Sequence, residues 1–333
     1  MNNDLSSYFE DPEFKEALEK YEGMVKNHTP AYFDADELTD IAEYYASKGR
    51  QIEAEAAIDF ALQLHPNDTD ALIFRARSLA MKGRLDEAYM VMDLIEDRSD
   101  REVRFLKADL LMEEKRMEEA DHVFEELAAY EEGKLETLID IILAYIDANQ
   151  EALAKKWIKH VGETYDLASL SQKNQKFRDL LCDFYITFNN PEAAIPLLQA
   201  TLDCYPYSIN HWNSLGKCYL STNDYEEAHE AIDFALAIDD SNAEALTLKA
   251  FCYQQSGELQ KSCDYYLRLA EQQENKTRAY LALAKTYFEM QDYTSSIYYI
   301  EALLDNKDAL SKYELSELYG DIALCHAALK HIG

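Results

Sequence analysis

The sequence predicts an all-α chain, a solenoid of antiparallel helix pairs stacked along one direction. Three observations predict it. Small and apolar residues recur at a spacing of 34 residues along most of the 333-residue chain, and self-similarity at such a period marks a repeat architecture. Within each period the apolar positions follow one another at steps of three and four, the spacing of a helix face rather than a strand. Gly numbers only 9 and Pro only 6, too few for a turn-rich β protein, whereas Ala, Leu, Glu and Lys are frequent and favour helix. Length alone suggests about two globular domains, but a repeat array buries its apolar surface between neighbours and escapes that prior.

Taken in chain order, residues 1–34 are expected to form a capping helix and connector. Asp11 stands as N-cap and Pro12 at the first helical position. Phe14, Leu18, Tyr21 and Val25 mark the apolar face of a helix over Asp11–Lys26. Eight two-helix repeats follow over residues 35–310, starting near 35, 69, 101, 135, 175, 209, 243 and 277. The second is 32 residues long, and the fourth carries a six-residue insertion around Asp166–Asn174. Residues 311–333 read as a C-terminal capping helix or as the first helix of a ninth repeat.

The sixth repeat shows the pattern most fully: Trp212, Leu215, Gly216, Tyr219, Ala228, Ile232 and Ala235. Tyr280, Leu283, Ala284, Tyr287, Ser296, Ile300 and Leu303 match it in the eighth, and Leu38, Ile41, Ala42, Tyr45, Ala54, Ile58, Ala61 and Pro66 in the first. This resembles the tetratricopeptide repeat, whose signature is W-x2-L-G-x2-Y, then A-x3-F, then P. The resemblance implies a right-handed superhelix whose concave wall is lined by the first helix of each repeat.

Close crossing of two helices needs small residues at the crossing. The second helices offer Ala54, Ala88, Ala120, Ala154, Ala194, Ala228, Ser262 and Ser296 there; the first helices offer Ala42, Ala76, Ala108, Ile142, Cys182, Gly216, Ala250 and Ala284. Ile142 alone is bulky, which predicts looser packing in the fourth repeat. Gly49, Gly83 and Gly257 share the position where the first helix must stop in a left-handed turn. Arg104 and Arg178 occupy places where the family has a large apolar residue. Trp157 and Trp212 are expected in the core.

The 64 acidic residues against 32 basic ones give a formal net charge of -32. Such a surface repels nucleic acid and anionic membranes, so a protein or peptide partner, with basic groups, is the expectation. No run of 18 apolar residues is present, which excludes membrane insertion by a helix, and the polar start of the chain is unlike a secretory signal. Six cysteines without a C-x-x-C pair read as reduced, mostly buried thiols of a cytoplasmic protein. Phosphate loops, nucleophile elbows and H-E-x-x-H are missing, and none of the eight histidines stands at ligand spacing. No catalytic residue, cofactor or metal is therefore expected.

These readings point to a protein-interaction scaffold or adaptor, with a self-associating assembly or the regulatory arm of a longer protein as alternatives. Positions 2, 5, 9 and 12 of each repeat should face the concave wall. Phe105, Met112, Ile139, Leu143 and Ile146 make an apolar patch there to receive a partner's hydrophobic side chains, unless neighbouring repeats cover it. Asp109, Asp179 and Asp183 favour basic groups. Asn213 and Lys217, with Lys285, are expected to hold a carboxylate, an arrangement that resembles by residue type the carboxylate clamps of chaperone-binding relatives. Arg77 and Phe251 complete the expected wall.

Overall fold

The computed structural model describes residues 8–28, 30–272, 276–305 and 312–332; side chains at 312–314 and 331–332 lie outside the description. Among the described residues every regular element is an α-helix. The chain divides into two compact units, residues 1–144 and 145–333, with the division inside one helix.

The first unit begins with α1 (Pro12–Asn27), then the hairpins α2 (Ala35–Ser47) with α3 (Gln51–Leu64), α4 (Thr69–Met81) with α5 (Leu85–Met92), and α6 (Arg101–Glu113) with α7 (Met117–Tyr130); α8 (Leu135–Asp147) crosses the division. Asp11 caps α1 by accepting from the Glu13 amide at 2.8 Å. The face of α1 that turns inward is Phe14, Ala17 and Tyr21, while Val25 is 53% exposed. The expected stripe leaves the contact at Val25, and half-buried Met24 packs against the cluster there. Tyr21 meets Phe33 at 5.9 Å between ring centres, and the Tyr45 hydroxyl donates to Glu22 at 3.0 Å, so α1 seals the end of the first hairpin. The short second repeat has lost its residues from α5, which ends at Met92; Ile95 beyond it is 2% exposed and fills the space.

The second unit holds α9 (Glu151–Thr164), α10 (Leu167–Lys173), and the hairpins α11 (Gln175–Thr187) with α12 (Pro191–Cys204), α13 (Ile209–Thr222) with α14 (Tyr225–Ile238), α15 (Ala243–Gln255) with α16 (Leu259–Gln272) and α17 (Thr277–Glu289) with α18 (Tyr293–Leu304); α19 (Lys312–Ile332) follows. The insertion at Asp166–Asn174 is thus a short helix. Arg178, in its apolar-looking position, explains how that helix is held. Its guanidinium is buried and donates to the carbonyls of Ser171 (3.1 Å) and Gln172 (3.2 Å) and to the Thr201 hydroxyl (2.7 Å). The last turn of a helix leaves carbonyls without partners and carries partial negative charge, and Arg178 answers both.

Each first helix closes the same way. The residue fourteen after its start has positive φ: Gly49, Gly83, Lys115, Asn149, Asn189, Asn223, Gly257 and Gln291, with φ between 54° and 81°. The next residue's amide returns to a carbonyl five residues back, as in Arg50 to Tyr45 at 2.8 Å and Asp292 to Tyr287 at 2.9 Å. This is the six-to-one bond of a Schellman turn. Only three of the eight use glycine. Where they do, a Cβ would meet nothing within 4 Å, so the constraint is the backbone angle and not space.

At the crossings all eight Ala and Ser positions of the second helices are at most 1% exposed. Gly216 goes further: a Cβ there would sit 2.8 Å from Ile232 Cγ1. Pro66 and Pro206 stand two residues beyond the ends of α3 and α12, where they cannot interrupt a helix.

Candidate protein-binding faces

The first helices of residues 35–144 put acids side by side. Asp36, Asp40 and Glu43 come from α2, Asp70 from the first turn of α4, and Glu102 and Asp109 from α6. Two arginines stand among them: Arg77 of α4 is 3.4 Å from Glu102 and 3.5 Å from Asp109, and Arg101 of α6 is 2.7 Å from Glu102 and also pairs with Asp140. Two guanidiniums do not balance six carboxylates. Burial raises the Asp40 carboxyl, and Asp36 adds to the effect against a lowering hydrogen bond from Tyr8. Glu43 is raised by surrounding protein and by Asp40, Asp70 and Glu102, with Arg77 opposing. Asp70 is raised by burial, then by Asp68, Asp36, Asp100 and Glu102. Asp109 is raised chiefly by burial, against the pull of Arg77. Tyr8 donates to Asp40 at 2.5 Å, and that bond, with burial, pushes its own hydroxyl up to about 12. Each raised carboxyl marks a site where negative charge is held at a cost that an incoming cation would lower.

The expected apolar patch is packed. Phe105, Met112 and Ile139 are 7%, 9% and 6% exposed, and Ile146, beyond the unit division, is 5% exposed; Leu143 is half-buried. Phe105 lies 5.2 Å from Phe124 of its own hairpin, with the Arg101 guanidinium 4.9 Å above its ring. A side chain five residues into the first helix leans onto the second helix when that helix offers an aromatic neighbour, and the helical register cannot show this. These residues present little surface to a partner.

In the second unit the expected clamp residues are already engaged. Asn213 is 1% exposed and donates to Asn242 and Glu244, each at 3.1 Å. Lys217 pairs with the same Glu244. A carboxylate of the next repeat therefore occupies the place read as a ligand's, just as Glu102 meets Arg77 in the first unit. Asp179 accepts from His211 at 3.3 Å; Asp183 beside it is exposed, its carboxyl raised by burial and by Asp179. Phe251 is 42% exposed, and Lys285 is exposed.

Sequence reasoning missed Asp40 and Asp70, which carry part of the acidic face. The available signal was the clustering of Asp in the first turn of successive first helices. It also placed Trp212 in the core with Trp157. Trp157 is 3% exposed, but Trp212 is only half-buried and stacks on Phe234 at 4.5 Å and 17°. All six cysteines are free, and Cys204 alone is exposed. Among the described residues no group of His, Cys, Asp or Glu is arranged to hold a metal ion, and no helix is long and apolar enough to cross a membrane.

The tetratricopeptide repeat model matches residues 39–89 and 213–277. A relative from Escherichia coli O157:H7, a subunit of the formate-dependent nitrite reductase complex, is 26% identical over 191 residues, 55% of this chain and 89% of the relative. A tetratricopeptide repeat protein from Parabacteroides merdae aligns over 76% of this chain and 98% of its own, with 16% identity and a TM-score of 0.48. A thermophilic protein of the same kind from Thermus thermophilus aligns over 57% of this chain and 98% of its own, with 12% identity and a TM-score of 0.44. The matched stretches carry the recurring Leu, Ala and Tyr positions of the tetratricopeptide repeat, and the same helix pair with the same left-handed turn recurs outside them.

Proposed function

We propose that this chain is a non-catalytic scaffold that binds a protein or peptide carrying basic groups on the acidic first-helix face of residues 35–144. Eight repeats over residues 35–310, between an N-terminal cap and a last helix, make up the scaffold. The observation that carries the reading is the gathering of Asp36, Asp40, Glu43, Asp70, Glu102 and Asp109 on successive first helices against only Arg77 and Arg101, with the carboxyls of Asp40, Glu43, Asp70 and Asp109 raised. Solvated acids on an ordinary surface stay near their usual values; these are crowded, and a cationic partner would relieve them.

Tetratricopeptide repeat proteins commonly work by binding other proteins, and the Escherichia coli relative is named as a subunit of a complex. A supporting subunit of a multiprotein assembly fits both. Cys182 and Cys218 are pushed up to about 12 and about 11 by burial, which makes them poor nucleophiles. Free, mostly buried thiols suit a reducing compartment such as the cytoplasm.

The test is fluorescence anisotropy with two labelled helical peptides of equal length, one with lysines and arginines along one face and one with glutamines there. Binding of the basic peptide should weaken steeply with added salt and fall about tenfold in a Glu43→Gln/Asp70→Asn/Asp109→Asn variant. Equal binding of the two peptides, or no effect of the variant, would overturn the assignment. Light scattering on the chain alone tests self-association as the competing role.

A further inference from the structure

A cleft in the second unit, made of residues other than those of the acidic face, goes beyond the scaffold reading. It has a volume of ≈ 490 Å³ and opens between α12, α13 and α14. One wall is aromatic: Trp212 and Phe234 lie nearly parallel, 4.5 Å apart. The Trp212 indole N–H donates to the Pro206 carbonyl at 2.8 Å, which fixes the ring. The Tyr219 hydroxyl accepts from Gln199 at 2.9 Å, which settles the far side. Phe234 nevertheless leaves 54% of itself in water. The same cleft is lined by Asp203, Glu227 and Glu230. None of these three has a hydrogen bond or ion pair among the described residues.

Elsewhere the chain places its own cations over several aromatic rings. Arg50 sits over Tyr45, Arg101 over Phe105, Arg104 over Tyr130 and Arg268 over Tyr265, at 4.5 to 5.3 Å. Tryptophan is the strongest such partner, yet among the described residues no Lys or Arg lies over Trp212 or Phe234. The site has the aromatic plane, the unpaired carboxylates and the room, and lacks only the cation.

We propose that this cleft receives an arginine side chain of a partner polypeptide. A guanidinium is flat, stacks on an aromatic face and forks toward carboxylates, whereas an ammonium is a hydrated point charge that uses the plane less well. The excess of acid makes the charge complementary, and Tyr205 and Tyr207, the chain neighbours of the lining residue Pro206, are 46% and 82% exposed.

The experiment uses the full chain with Trp157→Phe, so that Trp212 is its one tryptophan. Its fluorescence is titrated with three capped tripeptides, Gly-Arg-Gly, Gly-Lys-Gly and Gly-citrulline-Gly; citrulline keeps the shape and loses the charge. The arginine peptide should give a saturable change in the millimolar range, about tenfold tighter than citrulline and several-fold tighter than lysine. Phe234→Leu and Glu227→Gln/Glu230→Gln should each weaken it about fivefold or more, with melting temperature and helicity unchanged. An equal response to arginine and citrulline, or indifference to both variants, would overturn the proposal. A lysine response equal to that of arginine would overturn the choice of arginine. Glu43→Gln/Asp70→Asn/Asp109→Asn should leave this titration unchanged, so failure here and failure of the first-helix face are separate results.

Discussion

At the scale of single residues, eight positions with one backbone conformation carry four residue types. Positive φ costs an ordinary residue about 1–2 kcal/mol relative to its preferred basins, and glycine escapes most of that. Lys115 (φ 63°) and Gln291 (φ 62°) carry this strain. Lys115→Gly and Gln291→Gly should each raise unfolding stability by ~0.5–1 kcal/mol in a urea titration, the gain reduced by glycine's freedom in the unfolded chain; Gly83→Ala should lower it by ~1 kcal/mol. The turn was legible at Gly49, Gly83 and Gly257 because glycine announces it. At Lys115 and Gln291 nothing in the residue does, and the hairpin geometry imposes the angle. Gly216 is a different case, a close approach and not an angle. Gly216→Ala pushes a methyl against Ile232 and should cost ~1–3 kcal/mol, with Ile232→Ala added at less than additive cost; full additivity in a double-mutant cycle would remove that contact as the cause.

At the scale of elements, the helix pairs follow from small residues at the crossings and from turns at a fixed spacing, and both are visible as periodicity. What periodicity could not supply is which side chains a neighbour covers. Phe105 stands in register with exposed positions but finds Phe124 across its own hairpin. Asn213 and Lys217 have the types of a ligand clamp but meet Glu244 of the next repeat. Arg178 shows the converse, an anomalous residue whose role appears only with the inserted helix. Arg178→Met should free the carbonyls of Ser171 and Gln172, lower stability by ~2–3 kcal/mol and strip hydrogen-exchange protection from residues 167–173 first. Arg178→Lys should not restore it, because one ammonium cannot reach the α10 carbonyls and the Thr201 hydroxyl with the fork's geometry. Protection unchanged in α10 would remove Arg178 as its anchor.

At the scale of the whole molecule, a formal net charge of -32 is spread widely, yet the carboxyls raised together on residues 35–144 give it a functional reading. A carboxyl whose pKa is raised in the folded state holds its proton more tightly there than in the unfolded chain. Stability therefore falls as pH rises through that interval and is regained on acidification. Thermal midpoints should rise as pH drops from 7 toward about 5, and the Glu43→Gln/Asp70→Asn/Asp109→Asn variant should be at least as stable as the parent at pH 7 and show a smaller rise. A midpoint that falls steadily from pH 7 in the parent would contradict the raised carboxyls. Partner binding has the opposite dependence, since a cationic ligand needs the ionised acids and should release protons as it binds. Acids kept where they weaken the fold are a familiar mark of a surface retained for recognition.

The central claim is that this acidic face of residues 35–144 selects a partner with basic groups. Affinity capture from native cell extract should be run side by side with the parent and the Glu43→Gln/Asp70→Asn/Asp109→Asn variant, and retained proteins quantified by mass spectrometry. The account predicts a small set of proteins with basic segments, held by the parent at low salt and lost from the variant although its fold is intact. The same set retained by both proteins would contradict it.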